Sequence, residues 1–197
     1  MAPAGLYVAQ HVTAMDFVEA YASPDRSVPM LRVNMVSSLD GAAWLDGRSG
    51  PLGGPADQAL MKTLRMFADV ILVGAGTVRV EGYQGDLIDE PQKQWRLEHG
   101  LTEQPRLVVV SRSGPPLPEL LAELGDLHIL CEGGPHLFGS LAALDAIDDL
   151  CLTIGPVLVG PGAGRITAGN PHPVRRMNLV HAIPDGDLLF LRYARSA

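Results

Sequence analysis

Six short runs of aliphatic and β-branched residues, each closed by turn formers, punctuate the chain: Leu31–Ser37, Val70–Gly74, Arg106–Ser111, Leu127–Cys131, Leu150–Val159 and Leu188–Tyr193. Such short, near-continuous apolar runs suit strands buried on both faces. Helical spacing lies between them. In Pro55–Phe67, Leu60, Leu64 and Phe67 fall at i, i+4 and i+7 on one face. Pro55 at the start and Asp57 in the first turn suit a helix N-terminus. Leu117–Leu124 and Leu137–Ile147 predict further helices, and Glu90–His99 a polar one. Strand and helix alternate through the middle of the chain, which predicts an α/β fold with a mainly parallel central sheet and flanking helices. The last two strands have only a Gly/Pro-rich loop between them, so an antiparallel pair is expected at the C-terminal edge of the sheet. No internal repeat or linker divides the chain. The expectation is a single domain over residues 1–197, with residues 1–30 an extension that the pattern does not define.

Composition narrows this picture. A chain of 197 residues, 47% hydrophobic and 19% charged, can bury a sizeable core. A net charge of −7 argues against a nucleic-acid partner, which needs a basic face. Cys131 and Cys151 lack metal-ligand spacing, so no metal site or disulfide framework is expected, and two reduced thiols suit a reducing compartment. The first residues have neither the basic start nor the apolar core of a leader. The apolar runs fall short of the ~18–20 residues of a membrane helix. The expectation is a soluble, cytoplasmic protein without a membrane partner.

Chemistry gathers where the parallel strands end, which is where α/β sheets bind ligands. Val70–Gly74 runs into GAGTVRVEGY, Arg106–Ser111 into SRSG, and Leu127–Cys131 into EGGPHLFG. Glycine lets backbone approach a phosphate, and the N–H groups of a following helix favour negative charge. Ser111 and Arg112 can hold a phosphate through hydroxyl and forked guanidinium. One such turn is an ordinary tight turn; three at successive strand ends point to a dinucleotide. The GxGxxG fingerprint is missing, which excludes an ordinary Rossmann dehydrogenase. The first strand leads into NMVSSLDGAAWLDGRSGPLGG, where Asp40-Gly41 and Asp46-Gly47 read as turns, and Ser37, Ser38, Asp40 and Ser49 are available for hydrogen bonding.

SSLDG, a following serine-glycine, LR at a helix end, ADVILVGAGTV, a strand ending in SR, and EGGP followed by LTIGPVLVG occur in that order. This resembles the C-terminal reductase domain of the riboflavin-biosynthesis deaminase–reductases, over roughly Leu31 to Tyr193. The resemblance implies a dihydrofolate-reductase-like fold, a homodimer, and NADPH-dependent reduction of a phosphoribosylamino-pyrimidine to its ribitylamino product. It also implies roles. Gly74, Gly76 and Thr77 would meet the NADPH phosphates, with Ser111 and Arg112 near the adenosine-ribose phosphate. Gly133, Gly134, Pro135, His136 and Leu137 would wrap the pyrophosphate, and Ser37 and Leu52 would lie near the nicotinamide. Ser49, Arg65 and Glu132 would contact substrate, Arg65 through its phosphate. A carboxylate beside an apolar strand end is costly without a partner, so Glu132 is expected to have one.

The chain also departs from the family. After GAGTV it reads RVEGYQGD, where Glu81 replaces the first acid of the family's acidic pair and, by the resemblance, would contact the cofactor. The following proline is gone, and the phosphate-binding arginine has no clear match, with Arg79 as a substitute. No HxE with PCxxC occurs, so the reductase step alone is expected. Proton delivery falls to Asp40, Glu81, Glu132 or water. His128 reads as structural, His136 as a phosphate neighbour, and His11, His99, His172 and His181 as surface residues. Two other readings stand beside the first: a dihydrofolate or other pterin reductase of the same fold, and a dinucleotide-binding module without catalysis.

Overall fold

The computed structural model describes residues 14–23, 25–169 and 171–196. The residues before 14, and with them His11, lie outside the described part. Among the described residues seven strands form one sheet in the order β3-β2-β4-β1-β5-β7-β6. They are β1 (Met30–Ser37), β2 (Val70–Gly74), β3 (Arg106–Val110), β4 (His128–Cys131), β5 (Asp149–Ile154), β6 (Met177–Asp185) and β7 (Leu188–Arg195). Strands β1 to β5 pair in parallel, and β5–β7 and β7–β6 pair antiparallel. The expected pairing of the two last apolar runs holds, but β7 is not the edge. Beyond it β6 uses the second half of the segment expected to be only a loop. The run expected as Leu150–Val159 stops at Ile154, where Gly155-Pro156 turns the chain away.

Among the described residues six helices join or flank the strands: α1 (Ala14–Tyr21), α2 (Gly50–Phe67), α3 (Ala75–Thr77), α4 (Glu90–Glu98), α5 (Leu117–Glu123) and α6 (Pro135–Ala143). Helix α3 runs on into a wide turn over Val78–Gly82. Helix α2 breaks at Gly54, whose φ of 72° is open to glycine, and regular helix resumes at Pro55 as the pattern predicts. The α6 helix starts two residues earlier than expected and ends at Ala143 rather than Ile147.

The core lies on both sides of the sheet. One layer holds Phe17 and Tyr21 of α1, Leu60, Leu64 and Phe67 of α2, and Cys151 and Phe190 from the sheet. The other holds Leu31, Val33 and Met35 of β1 with Leu137, Phe138 and Leu141 of α6. Each fully buried side chain of this size contributes about 1.5–3 kcal/mol. A buried ion cluster fastens α1 to the sheet. Asp149 accepts from Arg32 Nε at 3.0 Å and Arg192 Nε at 2.8 Å. The same two arginines donate to the Tyr21 and Ala20 carbonyls, so they cap the end of α1. His128 is structural, as expected: it is 3% exposed and bonds the Val28 carbonyl at 2.9 Å. His181 was expected at the surface, yet its ring packs edge-on against Tyr21 with centroids 4.6 Å apart. No helix among the described residues is long and apolar enough to cross a membrane.

Candidate functional site

The strand order places SRSG, GAGT, EGGP and SSLDG at the carboxyl ends of four neighbouring strands, β3, β2, β4 and β1. The two central ends meet backbone to backbone. Gly74 N–H donates to the Gly133 carbonyl at 2.8 Å, and the Gly133-Gly134 peptide is cis. Side chains are excluded from this seam. A Cβ on Gly134 would stand 2.8 Å from Thr77 Oγ1, and one on Gly133 2.9 Å from Met35 Sδ. Helix α6 opens directly from Gly134, with Pro135 at its start and no side-chain cap. Its first N–H groups are therefore left for an anion or water. Leu137 turns its side chain into the core at 6% exposure, so only its backbone is offered to the seam. His136 is exposed. The seam fits a dinucleotide diphosphate: narrow backbone walls, Thr77 beside them, and a helix start facing the gap.

Beyond β3, Ser111 stands 3.3 Å from Ser113 in an exposed turn, and Arg112 is exposed, with no ion pair among the described residues. The register pairs Gly74 with Val110, which puts this turn next to the GAGT end.

On the other flank stands a buried ion pair. Arg65 at the end of α2 donates to Glu132 through Nε at 2.6 Å and Nη2 at 2.8 Å, a bidentate contact. Tyr83 donates its hydroxyl to the same carboxylate at 2.6 Å, and the Arg65 guanidinium lies 5.3 Å from the Tyr83 ring centroid. The side chains of Arg65 and Glu132 are 11% and 3% exposed. Burial first, then the Glu132 charge, pushes the Tyr83 hydroxyl pKa far up, so it serves as a donor and not as an acid. Nη1 of Arg65 bonds the Leu87 carbonyl, which leaves one free N–H on each terminal nitrogen. The partner expected for Glu132 is thus Arg65, itself expected only as a substrate residue. Tyr83 was missed. Its signal was its place in RVEGYQGD, where the chain leaves the family's pattern.

Two further pairs complete the rim. Glu81 Oε1 accepts from the Ser49 backbone N–H and hydroxyl, both at 2.9 Å, so two residues expected in the site are joined. Ser37 is 4% exposed and Leu52 is 2% exposed. Gly155 N–H donates to the Ser37 carbonyl at 2.8 Å, and a Cβ on Gly155 would lie 1.9 Å from the Leu52 carbonyl oxygen. Asp40 faces elsewhere. Its carboxylate accepts from Ser38, from Gly160 N–H at 2.7 Å and from Val159 N–H at 3.2 Å. These bonds, the Ser38 hydroxyl first, hold its pKa down at about 2. Asp40 fastens the loop after β5, a loop-holding arrangement that leaves it ionised.

Sheet order, the helices on both faces and the glycine seam define the dihydrofolate-reductase-like class of α/β proteins. Dihydrofolate reductase from Enterococcus faecalis, solved complexed with NADP(H), superposes with a TM-score of 0.62 at 15% identity, covering 85% of this chain and 97% of that one. A pyrimidine reductase-like protein from Corynebacterium diphtheriae superposes with a TM-score of 0.82 at 23% identity, covering 94% and 100%. Within this class the chain belongs to the RibD C-terminal domain family, whose model matches residues 29–119 and 115–190. Riboflavin biosynthesis protein RibD of Mycobacterium tuberculosis (strain CDC 1551 / Oshkosh) is 31% identical over 196 residues, covering 85% of this chain and 55% of that protein. The chain spans about half the length of this relative.

Proposed function

We propose that the protein is an NADPH-dependent reductase that converts 5-amino-6-(5-phosphoribosylamino)uracil to its ribitylamino product, the reductase step of riboflavin biosynthesis. The observation that carries this reading is the juxtaposition of the glycine seam with the buried Arg65–Glu132–Tyr83 group across neighbouring strand ends. When bound, the reduced nicotinamide supplies the hydride; the protein places it and the electrophilic carbon in contact and excludes water. Gly74, Gly76, Thr77, Gly133 and Gly134 hold the diphosphate at the seam, aided by the backbone of Pro135, His136 and Leu137. Ser111 and Arg112 lie toward the adenosine-ribose phosphate. Ser37 and Leu52 bound the nicotinamide end. The two free N–H groups of Arg65 take substrate oxygens while Glu132 keeps the guanidinium in place. Ser49 and Glu81 cover the opposite side, and Glu81, exposed at the rim, is the carboxylate with access to exchange protons with water.

The family match and the 31% identical relative support the riboflavin assignment, and the NADP(H)-bound neighbour supports the cofactor. We place the protein in the cytoplasm as one domain that assembles into a homodimer. The exposed apolar side chains of Leu179 and Val180 on the edge strand β6 support the last point. Steady-state assays with NADPH and each substrate test the reading. Turnover of the ribosylamino-pyrimidine is expected. Activity with dihydrofolate alone, or NADPH binding without any turnover, would replace it with one of the two other readings. Light scattering tests the dimer.

A further inference from the structure

Tyr83 stands where the chain turns back toward the sheet. The wide turn over Val78–Gly82 ends on Gly82, whose φ of 78° is open to glycine, and Tyr83 follows directly. Its side chain is half-buried and packs against the core layer on the α2 side. The hydroxyl thereby reaches Oε2 of Glu132 at 2.6 Å, the same oxygen that accepts from Arg65 Nη2 at 2.8 Å, while Oε1 takes Arg65 Nε at 2.6 Å. Cζ of Arg65 lies 5.3 Å from the centroid of the Tyr83 ring. One side chain thus touches both members of the ion pair, with its polar end on the carboxylate and its face on the cation. A carboxylate and a guanidinium in bidentate contact cancel, so the pair alone offers an anion little attraction. A third donor on Glu132 alters that balance: it draws carboxylate charge away from the guanidinium and fixes the plane of the carboxylate. The ring covers one face of the guanidinium, and the Leu87 carbonyl takes an N–H of Nη1 at 2.8 Å. What remains of Arg65 is one N–H on each terminal nitrogen, a planar fork that matches two oxygens of a phosphate.

We propose that Tyr83 is a positioning residue that makes Arg65 selective for the phosphate of the substrate, acting through Glu132 and through the face of the guanidinium. The inference rests on the reading of the site as a reductase of a phosphorylated ribosylamino-pyrimidine. Tyr83 acts at one remove, since its hydroxyl is committed to Glu132 and its ring to the guanidinium. Without the hydroxyl, Oε2 keeps a single donor, and the carboxylate is free to rotate and take a further N–H of Arg65. Glu132 then competes with the phosphate for the fork. The loss falls on the phosphate and spares the ring and the ribose hydroxyls, which separates this role from a general part in folding.

The test compares the phosphorylated ribosylamino-pyrimidine with its dephosphorylated counterpart, in the full chain and in the variants Tyr83→Phe and Tyr83→Leu. KM and kcat for each substrate, NADPH affinity by fluorescence titration and melting temperature are measured. Tyr83→Phe should raise KM for the phosphorylated substrate by about tenfold while kcat stays within about threefold. KM for the dephosphorylated substrate and NADPH affinity should stay within about twofold of wild type. Tyr83→Leu, which removes the ring as well, should lose still more of the preference for phosphate, and it carries the comparison if Tyr83→Phe does not fold. Equal losses on both substrates, or a preference for phosphate within about twofold of wild type in the variants, would overturn the proposal. So would a wild type that does not prefer the phosphorylated substrate. If the wild type turns over neither substrate, the reductase reading has failed, and isothermal titration with ribose 5-phosphate judges Tyr83 separately. Binding to wild type that weakens about fivefold or more in Tyr83→Phe supports the role. No binding to wild type at millimolar concentration, or equal affinity in both, refutes it.

Discussion

Glu132 stays in a nearly solvent-free place because donors from two other segments reach it, Arg65 from the end of α2 and Tyr83 from beyond the wide turn. Removing one member of such a pair leaves the other as an uncompensated buried charge. Glu132→Ala should therefore destabilise the protein by about 3–5 kcal/mol in urea unfolding, whereas Arg65→Met combined with Glu132→Leu should recover most of that stability. Turnover should stay lost in the double variant, which separates folding from function. The sequence shows Arg65 and Glu132 each as a residue of interest, since LR and EGGP are local motifs. It does not show that they meet, because they stand 67 positions apart with three strands between them, and nothing in either motif encodes the register that brings them together. Tyr83 was illegible for a different reason: it stands in a stretch without periodicity, where only three-dimensional packing gives an aromatic hydroxyl a task.

At the level of elements, the parallel strands were the most legible, because burial on both faces leaves continuous apolar runs. The edge strand β6 was not. Its burial alternates irregularly, Pro184 interrupts it, and a shift of register lies between Leu179 and His181. An edge strand needs no apolar run, so its sequence resembles a loop. Helix α4 reads as polar in the sequence, yet it is anchored by a buried side chain. Arg96 is fully buried and donates to the carbonyls of Met66 at 3.0 Å and Ala68 at 2.5 Å, at and just beyond the C-terminal end of α2, and to that of Thr102, past the end of α4, at 2.7 Å. Burial lowers its pKa without neutralising it. Arg96→Met should cost about 3 kcal/mol or more, because several buried carbonyls lose their donor at once. The loss should spread to the site, since Arg65 occupies the same helix end: KM for the substrate should rise as the melting temperature falls. Arg96→Lys should recover only part, lacking the fork that serves carbonyls on two elements.

For the whole molecule, acid is the sensitive direction. His128 and His181 both have lowered pKa values, His128 by burial and then by Arg26, His181 by burial and then by Arg192. A lowered value means that the folded state binds fewer protons than the unfolded chain. Their contribution to stability is therefore complete above the ordinary histidine pKa of ~6.5 and is lost as pH falls below it. Urea midpoints should be level between about pH 7 and 8 and decline toward pH 5.5. His128→Gln should flatten part of the decline, and a profile unchanged by that substitution would assign the slope to other groups.

The seam between Gly74 and Gly133-Gly134 has a consequence for how this scaffold can diversify. Its walls are made of main chain in contact with main chain, and the nearest room for a new side chain at Gly133 or Gly134 is already taken by Met35 or Thr77. A designer who wants a different chemical appetite from this molecule has almost no single substitution to try there. The segments around it are another matter: the turn carrying Tyr83, the stretch from Ser37 to Ser49, and the face of α2 that bears Asp57 are built from side chains that can be exchanged one at a time. The same frame can thus be passed from one ligand to the next with its glycine seam left intact, and libraries aimed at new specificity belong on those three segments.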